Sequence, residues 1–286
     1  MTATPVPDDA RALARRLLAE DGERDLTTEL LPDPTRATRG IIRVEDTALV
    51  AAGLAYAAAV GAAAGCASTT WETAEGDLRT RGEALGTIAG SLAAVLRAER
   101  PLLNVLQRAC GIATLTRAFV DALEGTRCRV LHTRKTAPGL RALDVAAVVA
   151  GGGHEHRLGL DRAVMVKDNH WSALGDPRTE LRGICRQARA LGVQAVYVEV
   201  EDADQVAIAC EAGASRLLID NQPSRRFSEL AQQARRLSRS IELEATGGIT
   251  LSNVRAYAEA GADYVSVGAL THSVTVANIG IELAPA

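Results

Sequence analysis

From about Arg129 onward, short apolar runs rich in Val, Ile and Leu alternate with longer segments whose apolar residues recur at helical spacing. The runs fall at 129–133, 163–167, 194–200, 216–220, 241–245 and 263–267, and helix patterns at 178–191, 202–212, 225–238 and 252–260 lie between them. The joint from helix to strand repeats: the Glu-Ala-Gly-Ala that begins at Glu211 recurs at Glu259, and each copy runs on into an apolar strand. Gly213 and Gly261 sit where those helices end, which predicts left-handed caps that a residue without a Cβ adopts at no steric cost. Units of roughly 20–25 residues predict a parallel sheet with right-handed crossovers, closed as a β/α barrel or open as a doubly wound sheet.

The first hundred residues lack this rhythm. They pattern as a helix over 9–20, a strand over 41–44 and an Ala-rich helix within the uncharged stretch 48–67. That stretch is long enough to span a bilayer. Its Ala and Gly gain little from lipid, however, and Gly53, Gly61 and Gly65 interrupt it, so a buried helix is expected. A separate α/β domain therefore ends near Glu99, and a helical segment over 100–124 leads into the second domain. The domains are expected over 1–105 and 106–272, with the tail 273–286 packing back on the first.

In β/α barrels the chemistry sits at the C-terminal ends of the strands. Here those ends read Thr133-Arg134-Lys135, Lys167-Asp168-Asn169-His170, Glu199, Asp220-Asn221, Glu244 and Gly268. The last two strands run into Thr246-Gly247-Gly248 and Ser266-Val267-Gly268, where small residues let backbone N–H groups face a phosphate. Arg134, Lys135, Arg141, His156, Arg157 and Lys167 supply cations to the same mouth and point to a polyanionic substrate. Glu199 and Asp220 then need a divalent cation such as Mg²⁺ or a developing positive charge of oxocarbenium type.

Composition sharpens this picture. Of 32 Lys and Arg residues only two, Lys135 and Lys167, are lysine, and both stand at strand ends. A compact ammonium and a planar guanidinium are not interchangeable, so both lysines mark a site. A net charge of −3 and 3% aromatic residues argue against nucleic-acid binding. Five widely spaced cysteines without a C-x-x-C pair read as reduced thiols of a cytoplasmic protein. Residues 1–9 lack the basic and apolar regions of a signal peptide. Dinucleotide, Walker and serine-hydrolase motifs are absent, and His154-Glu155-His156 is not the H-E-x-x-H zinc pattern.

At these residues the sequence resembles the quinolinate phosphoribosyltransferases. The resemblance is carried by Asp25-Leu-Thr-Thr28, Glu99-Arg100, Asn104, Leu106-Gln-Arg108 and Gly111-Ile-Ala-Thr114. It continues through Thr133-Arg-Lys-Thr136, Pro138-Gly-Leu-Arg141, Gly151-Gly-Gly153, His156-Arg157 and Lys167-Asp-Asn-His170. Val198-Glu199, Asp220-Asn221, Gly247-Gly-Ile249 and the segment from Ser266 to His272 complete it, over about residues 15–285. It implies an N-terminal open α/β sandwich and an incomplete, roughly seven-stranded β/α barrel. It also implies a homodimer or higher homo-oligomer with a shared active site, and a reaction of 5-phosphoribosyl-1-pyrophosphate (PRPP) with quinolinate. The products are nicotinate mononucleotide, pyrophosphate and CO₂, a step of NAD biosynthesis.

By matching position the resemblance gives Arg134, His156 and Arg157, with Thr133 beside them, to the pyridine carboxylates, and Arg100 to the neighbouring subunit's site. Lys135 and Lys167 fall to pyrophosphoryl or carboxylate oxygens. Glu199 and Asp220 fall to the ribose, Mg²⁺ and the oxocarbenium. Thr246, Gly247, Gly248, Ser266, Gly268 and His272 fall to phosphate. The sequence departs from the family at Val145 and Ala146, where Lys-Tyr is usual, and at His154, Glu155 and Cys110. A lost cation and a gained anion keep open transfer to a related pyridine or heteroaromatic carboxylate, and a non-catalytic phosphometabolite-binding paralogue is the third reading.

Overall fold

Strands covered on both faces read as unbroken apolar strings, and such strands pair in parallel. The computed structural model describes residues 7–285; residues 1–6, part of the stretch read for a signal peptide, lie outside them. Elements run in the order α1 (Asp8–Glu20), α2 (Leu26–Glu29), β1 (Ala37–Val44), β2 (Ala48–Val50), α3 (Leu54–Ala63), β3 (Ser68–Trp71), β4 (Leu78–Thr80), β5 (Ala84–Ser91) and α4 (Leu92–Ala122). Then come β6 (Arg129–Leu131), α5 (Arg141–Ala150), β7 (Val164–Val166), α6 (Asp168–Trp171), α7 (Pro177–Ala190), β8 (Val196–Val200), α8 (Ala203–Ala212), β9 (Arg216–Asp220), α9 (Ser224–Leu237), β10 (Glu242–Thr246), α10 (Val254–Glu259), β11 (Tyr264–Ser266), α11 (Ala269–His272) and β12 (Ile279–Pro285). Two compact units result: Met1–Arg117 with Thr136–Gly152 and Leu270–Ala286, and Ala118–Lys135 with Gly153–Ala269. These units cut the chain elsewhere than at 105/106: 106–117 and 136–152 lie in the first unit, as does 270–286, which contains the tail 273–286.

The first unit holds an antiparallel sheet of order β12-β1-β5-β3, in which Ile42 faces Ile281 and Ile41 faces Thr87. The tail strand β12 is thus an edge strand of this sheet. Ile42, Leu85, Ile88, Leu102 and Leu106 form its fully buried core. The uncharged stretch becomes β2, which pairs with β4, and the ten-residue α3. At 1.5 Å per residue α3 is about 15 Å long, half a bilayer core. No helix among the described residues is long and apolar enough to cross a membrane. Gly61 is what lets α3 close on β3, since a Cβ there would sit 2.5 Å from the Thr69 hydroxyl. The Glu75 carboxylate caps α3, accepting the N–H groups of Gly53 at 3.0 Å and Leu54 at 2.8 Å.

α4 starts at Leu92 rather than at residue 100, and it runs through Pro101. Proline removes one helical donor and is commonest at a helix start, which misplaces the boundary in a sequence reading. Buried Leu92, Val95, Ala98, Leu102 and Leu106 form one stripe across that position, so packing carries the helix past it. Further along, Arg108 grips fully buried Asp144 of α5 through two 2.7 Å bonds and donates to the Thr271 carbonyl at 3.0 Å. The same carboxylate accepts the Ala137 N–H at 3.1 Å, so one charge pair joins three stretches of the first unit.

The second unit is a parallel sheet of order β6-β11-β10-β9-β8-β7, and all six apolar runs of the sequence are its strands. The sheet is not closed. Where a seventh strand is expected there is one parallel bridge, Leu131 to His154, with His154 N–H bonding Val130 at 2.8 Å. No further pairing follows that bridge among the described residues before β7, and the Arg157 N–H bonds the His156 ring. Gly213 and Gly261 have φ of 87° and 103°, the left-handed caps the repeat predicts.

Asp144→Ala should cost about 3 kcal/mol or more in chemical denaturation, because Arg108 is left buried without its counter-charge. Replacing both partners with Leu should recover most of that loss. A single-variant loss under about 1 kcal/mol would mean that water substitutes for the carboxylate.

Candidate active site

Because side chains alternate along a strand, every second residue of the parallel sheet faces the same side. Leu218 and Asp220 of β9, Glu244 and Thr246 of β10, Glu199 of β8 and Met165 of β7 all face one cavity of about 530 Å³. The residues between them, such as Leu217, Ile219, Leu243 and Ala245, are buried on the opposite face. Strand-end residues His132, Thr133, Arg134, Lys135, Lys167, Asp168, Asn221, Gly247 and Gly248 complete the lining with His156, Arg157 and Ser266.

On one side the wall is cationic. Arg134 and Arg157 have no carboxylate partner among the described ion pairs. Arg157 donates only to a carbonyl, that of Ala163 at 3.3 Å. Burial and then the charge of Arg134 push its guanidinium below the ordinary arginine range. Two like charges that line one cavity and feel each other are a ready clamp for a carboxylate or phosphate, which relieves their repulsion. Thr133 turns its hydroxyl to the Lys135 N–H at 3.1 Å and so shapes the bend that carries both cations.

On the other side stand two carboxylates. Glu199, nearly buried, forms an ion pair with the half-exposed Lys167 ammonium. The short α6 behind it is fixed by Trp171, whose indole N–H donates to the Glu199 carbonyl at 2.7 Å, and by His170, which accepts the Lys167 N–H at 3.0 Å. Asp220 is raised above the usual carboxylate range, by burial first and by the negative charge of Glu199 second, with Lys167 opposing. Asn221 donates to Asp220 at 2.6 Å and bonds the Thr246 carbonyl through its own N–H at 3.0 Å. Asn221 holds a left-handed φ of 51°, and Gly247 must be glycine, since a Cβ there would lie 2.1 Å from the Asn221 amide oxygen. Beside it, a Cβ on Gly248 would meet nothing within 4 Å, so the loop presents bare backbone to open space.

Deeper in the cavity Glu244 is 1% exposed. Burial alone would raise its carboxyl, but the hydrogen bond from His156, the Ser266 hydroxyl and the Arg216 guanidinium outweigh burial and hold it below the ordinary range. Ser266, expected at a phosphate, thus directs its hydroxyl hydrogen to Glu244. His156 is engaged at both nitrogens: Nε2 is 3.3 Å from Glu244, and Nδ1 accepts the Arg157 N–H at 2.7 Å.

Twelve of the sequence-predicted site residues therefore line this one cavity: Thr133, Arg134, Lys135, His156, Arg157, Lys167, Glu199, Asp220, Thr246, Gly247, Gly248 and Ser266. Gly268 does not line it. His272 belongs to the first unit, where its Nδ1 lies 2.6 Å from the Ser273 hydroxyl. Arg100 and Arg141 also belong to the first unit, and Arg100 lines a separate hollow there with Arg43, Arg81 and Glu99. Among the departures, Glu155 is exposed and off the cavity wall, and Val145 is 4% exposed within α5. Glu244 stood among the strand ends without a role, and Arg216 was passed over. The available signal was four charges, Arg216, Asp220, Glu242 and Glu244, on the alternate positions of β9 and β10 that share one face, which a purely structural sheet fills with apolar residues.

The arrangement agrees with what the chain is similar to. Residues 25–110 match the quinolinate phosphoribosyl transferase N-terminal domain, and residues 112–282 match the C-terminal domain. A probable nicotinate-nucleotide pyrophosphorylase (carboxylating) of Bacillus subtilis is 40% identical over 214 residues, 73% of this chain and 71% of the relative. The corresponding protein of Mycobacterium leprae is also 40% identical, over 71% of this chain and 70% of its own. Among solved structures, the nicotinate-nucleotide pyrophosphorylase of Francisella tularensis superimposes with a TM-score of 0.89 at 27% identity, covering 99% of this chain and 98% of that one. With both halves matched, the chain belongs to the quinolinate phosphoribosyltransferase family.

Proposed function

We propose that this protein transfers the phosphoribosyl group of PRPP to the ring nitrogen of quinolinate and releases pyrophosphate and CO₂, giving nicotinate mononucleotide for NAD biosynthesis. The observation that carries this reading is one cavity with an unpaired guanidinium pair on one wall and two carboxylates on the other. Arg134 and Arg157 hold the pyridine carboxylates. Glu199 and Asp220 face the ribose, where positive charge develops as the bond from C1′ to pyrophosphate breaks and the ring nitrogen bonds to C1′. Each carboxylate at about 4 Å stabilises that charge by about 4 kcal/mol at an effective dielectric near 20. The product pyridinium accepts the electron pair of the C2 carboxylate bond, CO₂ leaves, and a proton replaces it.

Lys135 and Lys167 meet the pyrophosphoryl oxygens, and the 246–248 loop takes the 5′-phosphate on bare backbone. No group of three or more His, Cys, Asp or Glu among the described residues could hold a metal by itself. Two carboxylates plus substrate oxygens nonetheless suit Mg²⁺, which binds through few protein ligands. When bound there, Mg²⁺ neutralises charge on the leaving pyrophosphate. Asp220, raised by burial and by Glu199, is a carboxylate to which an added cation is favourable. Arg100 completes the site from a neighbouring subunit of a homodimer, and His272 assists at phosphate. A cytoplasmic setting follows from the substrates and the reduced thiols. With Glu155 off the cavity wall, nothing in the lining favours a different acceptor.

Incubation with PRPP, Mg²⁺ and quinolinate should yield nicotinate mononucleotide and CO₂ in equal amounts by mass spectrometry. Pyrophosphate release with some other pyridine acid alone would overturn the assignment. Asp220→Asn should cut turnover by about 100-fold or more and at the same time raise Tm. The sign follows from the raised folded-state pKa, which makes the ionised carboxylate a cost above that pKa. The Tm gain should therefore be full at neutral pH and vanish below about pH 4. Mixing Arg100→Ala with Lys167→Ala subunits should restore part of the activity that each lacks alone. Verified heterodimers without activity would place the whole site within one chain.

A further inference from the structure

Beneath the cavity floor lies a polar column that the reaction chemistry does not itself use. Arg216, 8% exposed at the start of β9, stacks between two aromatic rings, 4.7 Å from the centre of Tyr197 and 3.9 Å from that of Tyr264. Its Nε and Nη2 bond Glu242 at 2.9 and 2.8 Å, while its Nη1 bonds Glu244 at 3.1 Å. Tyr264 donates its hydroxyl to the other Glu242 oxygen at 3.1 Å. From Glu244 the column continues to His156 Nε2, and the His156 ring packs edge-on against Tyr197 at 5.5 Å. Strands β8 to β11 each contribute a member.

The donors and acceptors fix the state of the histidine. Glu244 is ion-paired to Arg216, accepts from Ser266 and is held below the ordinary carboxyl range despite its burial, so it is a carboxylate and acts as acceptor for His156. Nδ1 faces the Arg157 N–H at 2.7 Å and must carry a lone pair there. A doubly protonated ring would set two donors against each other at that distance. Consequently His156 has its one hydrogen on Nε2 and none left for a substrate carboxylate. What it supplies to the cavity is the placement of the Arg157 backbone, and with it a guanidinium close to Arg134.

We propose that Glu244, anchored by Arg216, is the positioning residue for the Arg134–Arg157 carboxylate clamp and acts through His156 held as its Nε2–H tautomer. This rests on the proposed reaction, in which that clamp binds the pyridine dicarboxylate. Arg216 cannot be lysine in this role, because an ammonium lacks the fork that reaches Glu242 and Glu244 together while lying flat between two rings.

Two measurements test it. In wild-type protein labelled with ¹⁵N-histidine, His156, assigned by the signal missing from His156→Gln, should show the Nε2–H tautomer at neutral pH. An Nδ1–H or doubly protonated ring would overturn the proposal. Glu244→Gln removes the negative charge that His156 and Arg216 share, leaving one neutral amide oxygen to hold both by weaker bonds and Arg216 with Glu242 as its only carboxylate. The KM for quinolinate should rise about tenfold or more, while the KM for PRPP and kcat stay within about threefold. Arg216→Lys should do the same. A folded Glu244→Gln protein with unchanged quinolinate KM would overturn the proposal, as would equal losses for both substrates. If Glu244→Gln fails to fold, the wild-type tautomer still decides. Absent wild-type turnover would strike the proposed reaction instead, and the tautomer reading stands apart from it.

Discussion

A carboxylate without access to water sits at the centre of the parallel sheet, and the site above it is arranged around that fact. An isolated ionised Glu in such a place would be very costly, and it persists only because a guanidinium, a hydroxyl and an imidazole all donate to it. Each donor comes from a different element, so the strands must register before any of the bonds can form. Leu218 opposite Glu244 and Asp220 opposite Thr246 are that register, and a slip by one residue would send every interior charge into the apolar layer. The polar column therefore selects one alignment of the sheet, and the strand-end side chains inherit their positions from it.

The cavity shows the opposite economy. Arg157 is pushed down by burial and by Arg134, and Asp220 is pushed up by burial and by Glu199. Each wall carries like charges that destabilise the free protein and that a ligand of opposite charge relieves. Such unrelieved charge is a common cost of function, borne here by a well-packed sheet and by the Arg108–Asp144 tie in the first unit. Electrostatic stabilisation prepared in advance needs no reorganisation when the substrate's charge shifts, which is why it is tolerated.

Much of this was legible in the sequence, for reasons particular to each element. The six apolar runs became the six strands because strands buried on both faces leave no ambiguity of period. The caps at Gly213 and Gly261 were legible because only glycine takes that conformation freely. Twelve of the expected residues line one cavity because a parallel sheet gathers its strand ends at one edge. What escaped depends on distance in sequence. Arg108 and Asp144 are 36 positions apart, so local pattern could not assign 136–152 to the first unit. The seventh strand is reduced to the Leu131–His154 bridge, and past it the Arg157 N–H bonds the His156 ring, a contact that a pattern of hydrophobicity does not signal.

The two lysines show how residue choice divides the work. Every cation in this chain that must hold a fixed planar geometry is arginine: Arg108 on both oxygens of Asp144, Arg216 between two rings and two carboxylates. Lys167 does something else. It is paired to Glu199 at the edge of the cavity, half-exposed, on a stem with free rotation. In the proposed reaction Glu199 turns to the developing positive charge, and the Lys167 ammonium passes to a phosphate or carboxylate oxygen of the substrate. A point charge can change partners over a few ångströms without losing a second bond, whereas a guanidinium fork would have to break two. At Lys167 a chain that writes almost all its cations as arginine keeps one suited to that exchange.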